Sequence, residues 1–320
     1  MNNDLFFSVC TEVTNRSSTI IDTIKSIEKQ TFINYEYIIY ENCSDDNSLE
    51  VIKSYISQCS IKEKIKLIPG QNRKSDIESW NMPLKHAKGL YVAVCEGDDM
   101  FAKDHLDNLY NILSDNLSIG ILVSLRTDDF GYSKYSSFGY DHLLKPKQMK
   151  NYLINFEFCP PPSEACFLRQ NPATKESYFY DEKNLVYAAE YSIYESIIDS
   201  DLDCYISSKR SIERGLSKYR KGYLHIKDPY FLREKWKPLY DDNQLLDVSE
   251  KLFKLSFRML LSQIPSAKLE RRLLKHFKEE FGNVRKLRMT LYCLTQIFNF
   301  IYYSFRSTIS RIIRPQNAKI

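Results

Sequence analysis

The sequence predicts an α/β fold, a doubly wound and mostly parallel sheet followed by a helical C-terminal extension. Three observations carry that expectation. Short apolar runs alternate with stretches whose apolar residues recur at three- and four-residue spacing from Leu5 to Val123. Polar and acidic residues gather directly after those runs. At 320 residues with 43% hydrophobic side chains, the chain can also bury a large core.

Leu5 to Cys10 form the first apolar run, and a polar turn with Asn15 and Arg16 leads to Ser17 and Ser18, which have the chemistry of helix N-caps. Ile20, Ile24 and Ile27 then mark one helix face. A second run, Tyr35 to Tyr40, ends in the polar cluster Glu41 to Asp46, and Leu49, Ile52 and Ile56 mark a second helix. Ile65 to Ile68 reads as a strand, Asp76 to Ala87 as a helix interrupted by Pro83, and Leu90 to Cys95 as a strand buried on both faces. Leu106, Leu109, Ile112 and Leu113 mark another helix before the strand Ile119 to Val123. Alternation of this kind implies a parallel, doubly wound arrangement. From about Asp128 to Cys159 the chain reads as aromatic loop, and a helix returns from Tyr187 to Ile198.

Composition removes several function classes. A formal charge of +4 is too modest for a nucleic-acid binder. Eight cysteines lie far apart with no zinc spacing and read as reduced thiols. The five histidines show no metal spacing, although His225 lies in a late aromatic stretch. Neither GxxxxGK[ST] nor GxGxxG occurs among the nine glycines, so P-loop and nicotinamide readings lose their support. The opening MNNDLFFSVC lacks a basic, apolar leader pattern, which leads us to expect residence on the cytoplasmic side.

Composition shifts after about Tyr230, so we expect one domain over 1–230 and a basic helical region over 231–320. Lys268, Arg271, Arg272, Lys275 and Lys278 crowd one stretch, with Phe253, Phe257, Phe277 and Phe281 interleaved. Met289 to Phe305 carries no charged side chain but is shorter than the ~20 apolar residues of a spanning helix. Arg306, Arg311 and Arg314 follow. This pattern suits an amphipathic helix lying on an anionic membrane surface, peripheral to the inner face.

Open α/β sheets bind ligands beyond the carboxyl ends of their strands, and here those ends carry Thr11, Glu41 with Asn42, and Glu96 through Asp99. The turn Glu96-Gly97-Asp98-Asp99 offers hard oxygen ligands for Mg²⁺ or Mn²⁺ against a diphosphate. The same carboxylates could instead cap the helix that begins near Lys103, and Asn42 with Ser44 and Asp45 is a good turn sequence in its own right.

The stretches FFSVCTEVTNRSSTIIDTIKSIEKQTFINYEYIIYENCSDDNS and SWNMPLKHAKGLYVAVCEGDDMF resemble glycosyltransferase family 2 in order and spacing over roughly the first hundred residues. The resemblance implies a GT-A fold and an inverting transferase. It places Thr11, Glu41 and Asn42 at the nucleoside, with Glu41-Asn42 standing where the family has two aspartates. Asp98 and Asp99 fall at the metal and diphosphate, with Glu96, where the family more often has Asp, in support. Apart from the resemblance, Asp76 and Asn81 could touch the nucleotide or donor sugar, or their helix could serve packing alone. VYAAEYSIYESII resembles the segment that supplies the catalytic base, which makes Glu190 the candidate, with Tyr191 in the usual aspartate place. Glu190 could equally be an acidic residue favoured at a helix N-terminus. Glu164, in CPPPSEACFLR, is a rival base, although the resemblance implies a structural turn there more than a catalytic role.

The expected function is metal-dependent transfer of a sugar, from a UDP-sugar first among nucleoside diphosphate sugars, to a hydroxyl of a surface polysaccharide or lipid-linked precursor. A catalytically weak nucleotide-sugar-binding scaffold or partner subunit at the membrane is the alternative. A nucleotidyltransferase, which would release pyrophosphate, is a third.

Overall fold

The computed structural model describes residues 5–126, 141–155, 157, 160–181, 190–213, 232–263, 289–290, 292–293 and 296. The chain falls into two compact units, residues 1–219 and 220–320.

The first unit is the expected α/β fold. Its strands are β1 (Phe7–Val13), β2 (Tyr35–Glu41), β3 (Ile65–Pro69), β4 (Tyr91–Val94), β5 (Met100–Phe101), β6 (Ile119–Arg126), β7 (His142–Leu144), β8 (Ala165–Leu168) and β9 (Asp203–Glu213). Among the described residues they form one sheet in the order β3-β2-β1-β4-β8-β6-β9-β5, with β7 also paired to β9. β1 lies parallel to both β2 and β4, and β2 parallel to β3, so the first half is the doubly wound part that the sequence pattern predicts. β8 then inserts antiparallel between β4 and β6, and β6 runs parallel to β9.

The helices of this unit are α1 (Ile20–Glu28), α2 (Ser48–Ile56), α3 (Asp76–Leu84), α4 (His105–Leu113), α5 (Pro146–Ile154) and α6 (Glu190–Ile198). α1 forms because Ile20, Ile24 and Ile27 recur on one face, and all three are fully buried. Burying each contributes roughly 1.5–3 kcal/mol relative to leaving it exposed. α3 begins with a capping box in which the Ser75 hydroxyl accepts from Glu78 N and the Glu78 carboxylate accepts from Ser75 N. It ends at Leu84, three residues short of the Ala87 expected from sequence. Pro83, lacking an N–H, loosens its last turn into reverse turns through Ala87.

Two further expectations are corrected. Ser17 and Ser18 do not cap α1: the N-cap is Thr19, whose hydroxyl donates instead to Gly97 O at 2.9 Å. The stretch read as loop from Asp128 to Cys159 contains β7 and α5. α5 starts with proline at its first position, where the missing N–H costs nothing, and buries Met149, Leu153 and Ile154.

Packing separates stability from function along the strands. At their amino ends Phe6, Phe7, Phe32, Tyr91 and Tyr110 form an aromatic cluster with centroids 4.8–6.2 Å apart. Gly89 enters β4 so close to β1 that a Cβ there would lie 2.4 Å from Phe7 C and Ser8 N. The carboxyl ends are left to polar loops.

In the second unit the long helix α7 (Asp242–Gln263) buries Val248, Leu252 and Phe253. Phe253 packs on Met289, and Phe257 meets Tyr292 edge-on at 6.3 Å, so the interleaved aromatics described here serve packing inside this unit. His225, the basic cluster Lys268 to Lys278, Phe277, Phe281 and the arginines from Arg306 on lie outside the described residues. No helix among the described residues is long and apolar enough to cross a membrane.

Candidate active site

The loops after β1 and β2 are stitched into one rim. Asn15 N donates to Ser44 Oγ at 2.9 Å, Arg16 N to Ser48 Oγ at 2.9 Å, Ser17 N to Asp46 Oδ2 at 3.0 Å, and Asp45 N returns to Asn15 Oδ1 at 2.8 Å. Asn15 and Cys43 turn the chain with φ of 55° and 49°, a conformation Asn tolerates well. Within this rim Glu41 is buried, its Oε1 accepting Ser44 N at 2.6 Å. Asn42, 1% exposed, donates through Nδ2 to Thr14 Oγ1 and to Lys74 O, both at 3.2 Å, and accepts Lys74 N at 2.8 Å. It thereby holds the segment that leads into α3. Thr11 is fully buried, its hydroxyl donating to Cys95 O at 2.7 Å and lying 3.1 Å from Tyr37 OH. That bond locks β1 to the start of the acidic turn.

The acidic turn stands at the carboxyl end of β4. Asp99 N donates to Glu96 O at 2.9 Å, and the Cys95 thiol at its base is pushed well up, first by burial and then by Asp99, Glu96 and Asp98 around it. The charges of all three carboxylates of the turn are thus felt at Cys95. Asp98 Oδ1 lies 3.7 Å from the Arg16 guanidinium. Neither aspartate caps the following helix: β5 intervenes, and the α4 N-cap position is Asp104. Glu96 is held from the other side, its N donating to Ser163 Oγ at 2.9 Å, while the Ser163 hydroxyl reaches Glu96 Oε2 at 3.4 Å.

Sequence reading missed Glu12. It lies on β1 in register with Tyr40 of β2, one residue beyond Thr11 and therefore on the opposite sheet face. There it meets the first turns of α3. Thr14 Oγ1 donates to its Oε1, and Ser79 and Asp76 stand beside it. Burial pushes its carboxyl up to about 7, with the Thr14 and Ser79 hydroxyls pulling it down, the Asp76 charge adding to the rise and Arg16 opposing it. The signal was the one carboxylate in a strand whose other side chains are apolar, thiol or hydroxyl.

Asp76 thus joins the rim through Glu12. Asn81 does not: 1% exposed, it donates to Tyr180 O and accepts Tyr180 N, both at 2.9 Å, clamping α3 to a distant loop. Glu190 is the first described residue of α6, residues 182–189 lying outside the described set. Ser192 Oγ accepts Asp181 N at 2.9 Å, and Tyr194 OH donates to Pro160 O at 3.0 Å. The segment fastened by Tyr194 carries Ser163, which touches Glu96, so α6 is connected to the acidic turn. Glu164 is buried in the 3-10 turn Pro162–Glu164 that opens β8.

Among the described residues no group of three or more His, Cys, Asp or Glu side chains is arranged to hold a metal ion. Asp98 and Asp99 nevertheless fit an ion of the Mg²⁺ or Mn²⁺ type, which takes one or two carboxylates and completes its shell with phosphate oxygens and water. They do not make a cage by themselves.

The family model described as Glycosyl transferase family 2 matches residues 8–173. The chain is 26% identical over 103 residues to glycosyltransferase GlyG of Streptococcus pneumoniae, covering 32% of this chain and 33% of that protein. It is 27% identical over 116 residues to the UDP-Glc:alpha-D-GlcNAc-diphosphoundecaprenol beta-1,3-glucosyltransferase WfgD of Escherichia coli, covering 36% and 44%. The matches thus span less than half the length of these relatives. The crystal structure of S. aureus TarS 1-349 in complex with UDP-GlcNAc superposes with a TM-score of 0.60 at 14% identity, covering 87% of this chain and 80% of that one. That likeness establishes the shared fold.

Proposed function

The chain belongs to glycosyl transferase family 2, and from that membership we propose that it transfers a sugar, with inversion, from a nucleoside diphosphate sugar to a hydroxyl of a cell-surface polysaccharide or lipid-linked precursor. The observation that carries the reading is the paired aspartate turn Asp98-Asp99 at the carboxyl end of β4, joined to the β1 rim by the Arg16–Asp98 contact and the Thr19–Gly97 bond. A UDP-sugar is the first donor to try, since a structural neighbour was solved with UDP-GlcNAc and a relative is described as using UDP-Glc.

In this reading the loops after β1 and β2 hold the nucleoside, with Glu41, Asn42 and Thr11 fixing their shape and Asp76 lining the side of α3. Asp98 and Asp99 would hold Mn²⁺ or Mg²⁺, with Glu96 in support, and the bound ion would supply positive charge to the departing diphosphate. Arg16 adds a fixed positive charge at the same edge. Glu190 takes the proton of the acceptor hydroxyl as the new bond forms on the face opposite the leaving group. Asn81 holds the loop around Tyr180 in place.

We assign transfer to residues 1–230 and membrane attachment to residues 231–320. A relative whose described acceptor carries diphosphoundecaprenol supports a lipid-linked substrate, and so does the run of basic residues in the C-terminal region. The protein would then act on the cytoplasmic side, peripheral to the membrane.

The test is to incubate the purified chain with UDP-, GDP- and dTDP-sugars, Mn²⁺ and a membrane-lipid extract, and to follow the released nucleotide and the anomeric configuration of the product. Nucleoside diphosphate with inverted configuration is expected. Pyrophosphate would identify a nucleotidyltransferase. Donor binding without release would favour the scaffold reading, whose grounds are Tyr191 in the usual aspartate place and Glu96 where the family more often has Asp.

A further inference from the structure

We propose that Ser163 is a positioning residue for the acidic turn: through two contacts with Glu96 it sets how firmly that turn holds a divalent ion against a diphosphate. The inference rests on the metal-dependent nucleotide-sugar reading above and adds to it a residue that acts through Glu96.

β4 and β8 run antiparallel, and their last paired residues toward the carboxyl end of β4 are Ala93 and Cys166. The segment that leads into β8 is Pro160-Pro161-Pro162-Ser163-Glu164, whose prolines have no N–H to offer and hold φ at about −65°. It curls into the 3-10 turn Pro162–Glu164, with Glu164 N donating to Pro161 O at 3.0 Å. A regular ladder cannot continue through such a turn. Three residues past the last pair on each chain stand Glu96 and Ser163, and there a side chain replaces the ladder carbonyl: Ser163 Oγ accepts Glu96 N at 2.9 Å. The same hydroxyl reaches Glu96 Oε2 at 3.4 Å, so one side chain fixes both the peptide and the carboxylate at the head of the turn. A hydroxyl can accept and donate at once. Alanine can do neither.

The turn is thereby held from two sides. On the β1 side the Thr19 hydroxyl donates to Gly97 O at 2.9 Å, and Arg16 lies 3.7 Å from Asp98. A Cβ on Gly97 would come within 3.1 Å of Glu12 O, so the turn is pressed against β1. On the β8 side Ser163 is 2% exposed, and its segment is anchored by Tyr194 OH, which donates to Pro160 O at 3.0 Å. Asp99 N donates back to Glu96 O at 2.9 Å. A shift of the Glu96 peptide is therefore passed on to the aspartates that follow it. Groups that orient metal-binding side chains tune affinity for the ion by ~10–100-fold without touching it.

The test is equilibrium binding of UDP, GDP and dTDP to the full chain, in Mn²⁺ and in EDTA, for the wild type, Ser163→Ala and Ser163→Thr. The readout is the factor by which Mn²⁺ tightens binding of the nucleotide bound best, which requires neither acceptor nor turnover. Ser163→Ala should cut that factor about fivefold or more, with affinity in EDTA unchanged within about twofold. Ser163→Thr, which keeps the hydroxyl, should recover most of it. A smaller cut in Ser163→Ala, or one as deep in Ser163→Thr, overturns the inference, because a role in packing alone lowers the melting temperature and leaves the factor in place. If Ser163→Ala melts too low to assay, Ser163→Cys, similar in volume but only a weak donor and acceptor, carries the same expectation. A wild type whose nucleotide binding Mn²⁺ does not tighten would instead overturn the metal-dependent reading on which the inference rests.

Discussion

At the residue scale, the site is built largely from side chains that fix loops, and this separates holding roles from chemical ones. Asn81 is the plainest case. Its two bonds to the Tyr180 backbone are buried, so Asn81→Ala leaves an N–H and a C=O to find other partners, at a cost of about 1–3 kcal/mol each. A melting curve should show that loss, while donor KM stays within a few-fold of wild type if Asn81 does not touch the nucleotide. His105 gives a pH prediction. Its ring is fully buried with Nδ1 2.7 Å from Ser211 Oγ, and burial pushes it down to about 3 from 6.5, the Asp104 charge opposing only slightly. Between those two values the unfolded chain binds the proton and the folded one does not, so stability falls as pH drops below about 6.5, by at most ~1.4 kcal/mol per pH unit. Comparing melting temperatures at pH 7 and pH 5 should show a smaller drop in His105→Gln than in the wild type.

At the element scale, α6 decides where Glu190 stands, and its seat is tight. A Cβ on Gly120 of β6 would come within 2.4 Å of Ile197 Cγ2 and 2.6 Å of Leu202 Cβ, so Gly120→Ala must displace α6 or the turn after it. We expect ~1–3 kcal/mol of destabilisation, read as a melting temperature lower by roughly 2–10 °C, together with a fall in kcat larger than any change in donor KM. Lys150 of α5 holds the same helix from outside through Glu195 at 3.1 Å and Asp199 at 2.9 Å. The elements legible in the sequence were those with enough apolar side chains to show a period: β1, β2 and β4 as near-continuous runs, α1 and α4 as striped helices. β7, three residues long, and α5, with only three buried residues, carried too little apolar signal to stand out from loop. The acidic turn was visible because Asp98 and Asp99 follow a buried strand directly. Glu12 was not, because one carboxylate inside a strand declares its face only when the register with β2 and the seat of α3 are known.

At the scale of the whole molecule, the first unit joins the loops after β1, β2 and β4, and a separate helical unit follows it in sequence. If residues 231–320 attach the protein to lipid, the full chain should float with vesicles containing anionic phospholipid and remain behind with neutral ones, and salt well above physiological strength should release it. The central claim concerns the first unit: Asp99 serves the departing diphosphate and Glu190 the incoming hydroxyl. The most direct measurement is nucleoside diphosphate release at saturating donor, acceptor and Mn²⁺ for the wild type, Asp99→Asn and Glu190→Gln side by side. The account predicts a loss of about 10²-fold or more in both variants, the scale of removing a positioned acid or base. Release at the wild-type rate in either variant would contradict it.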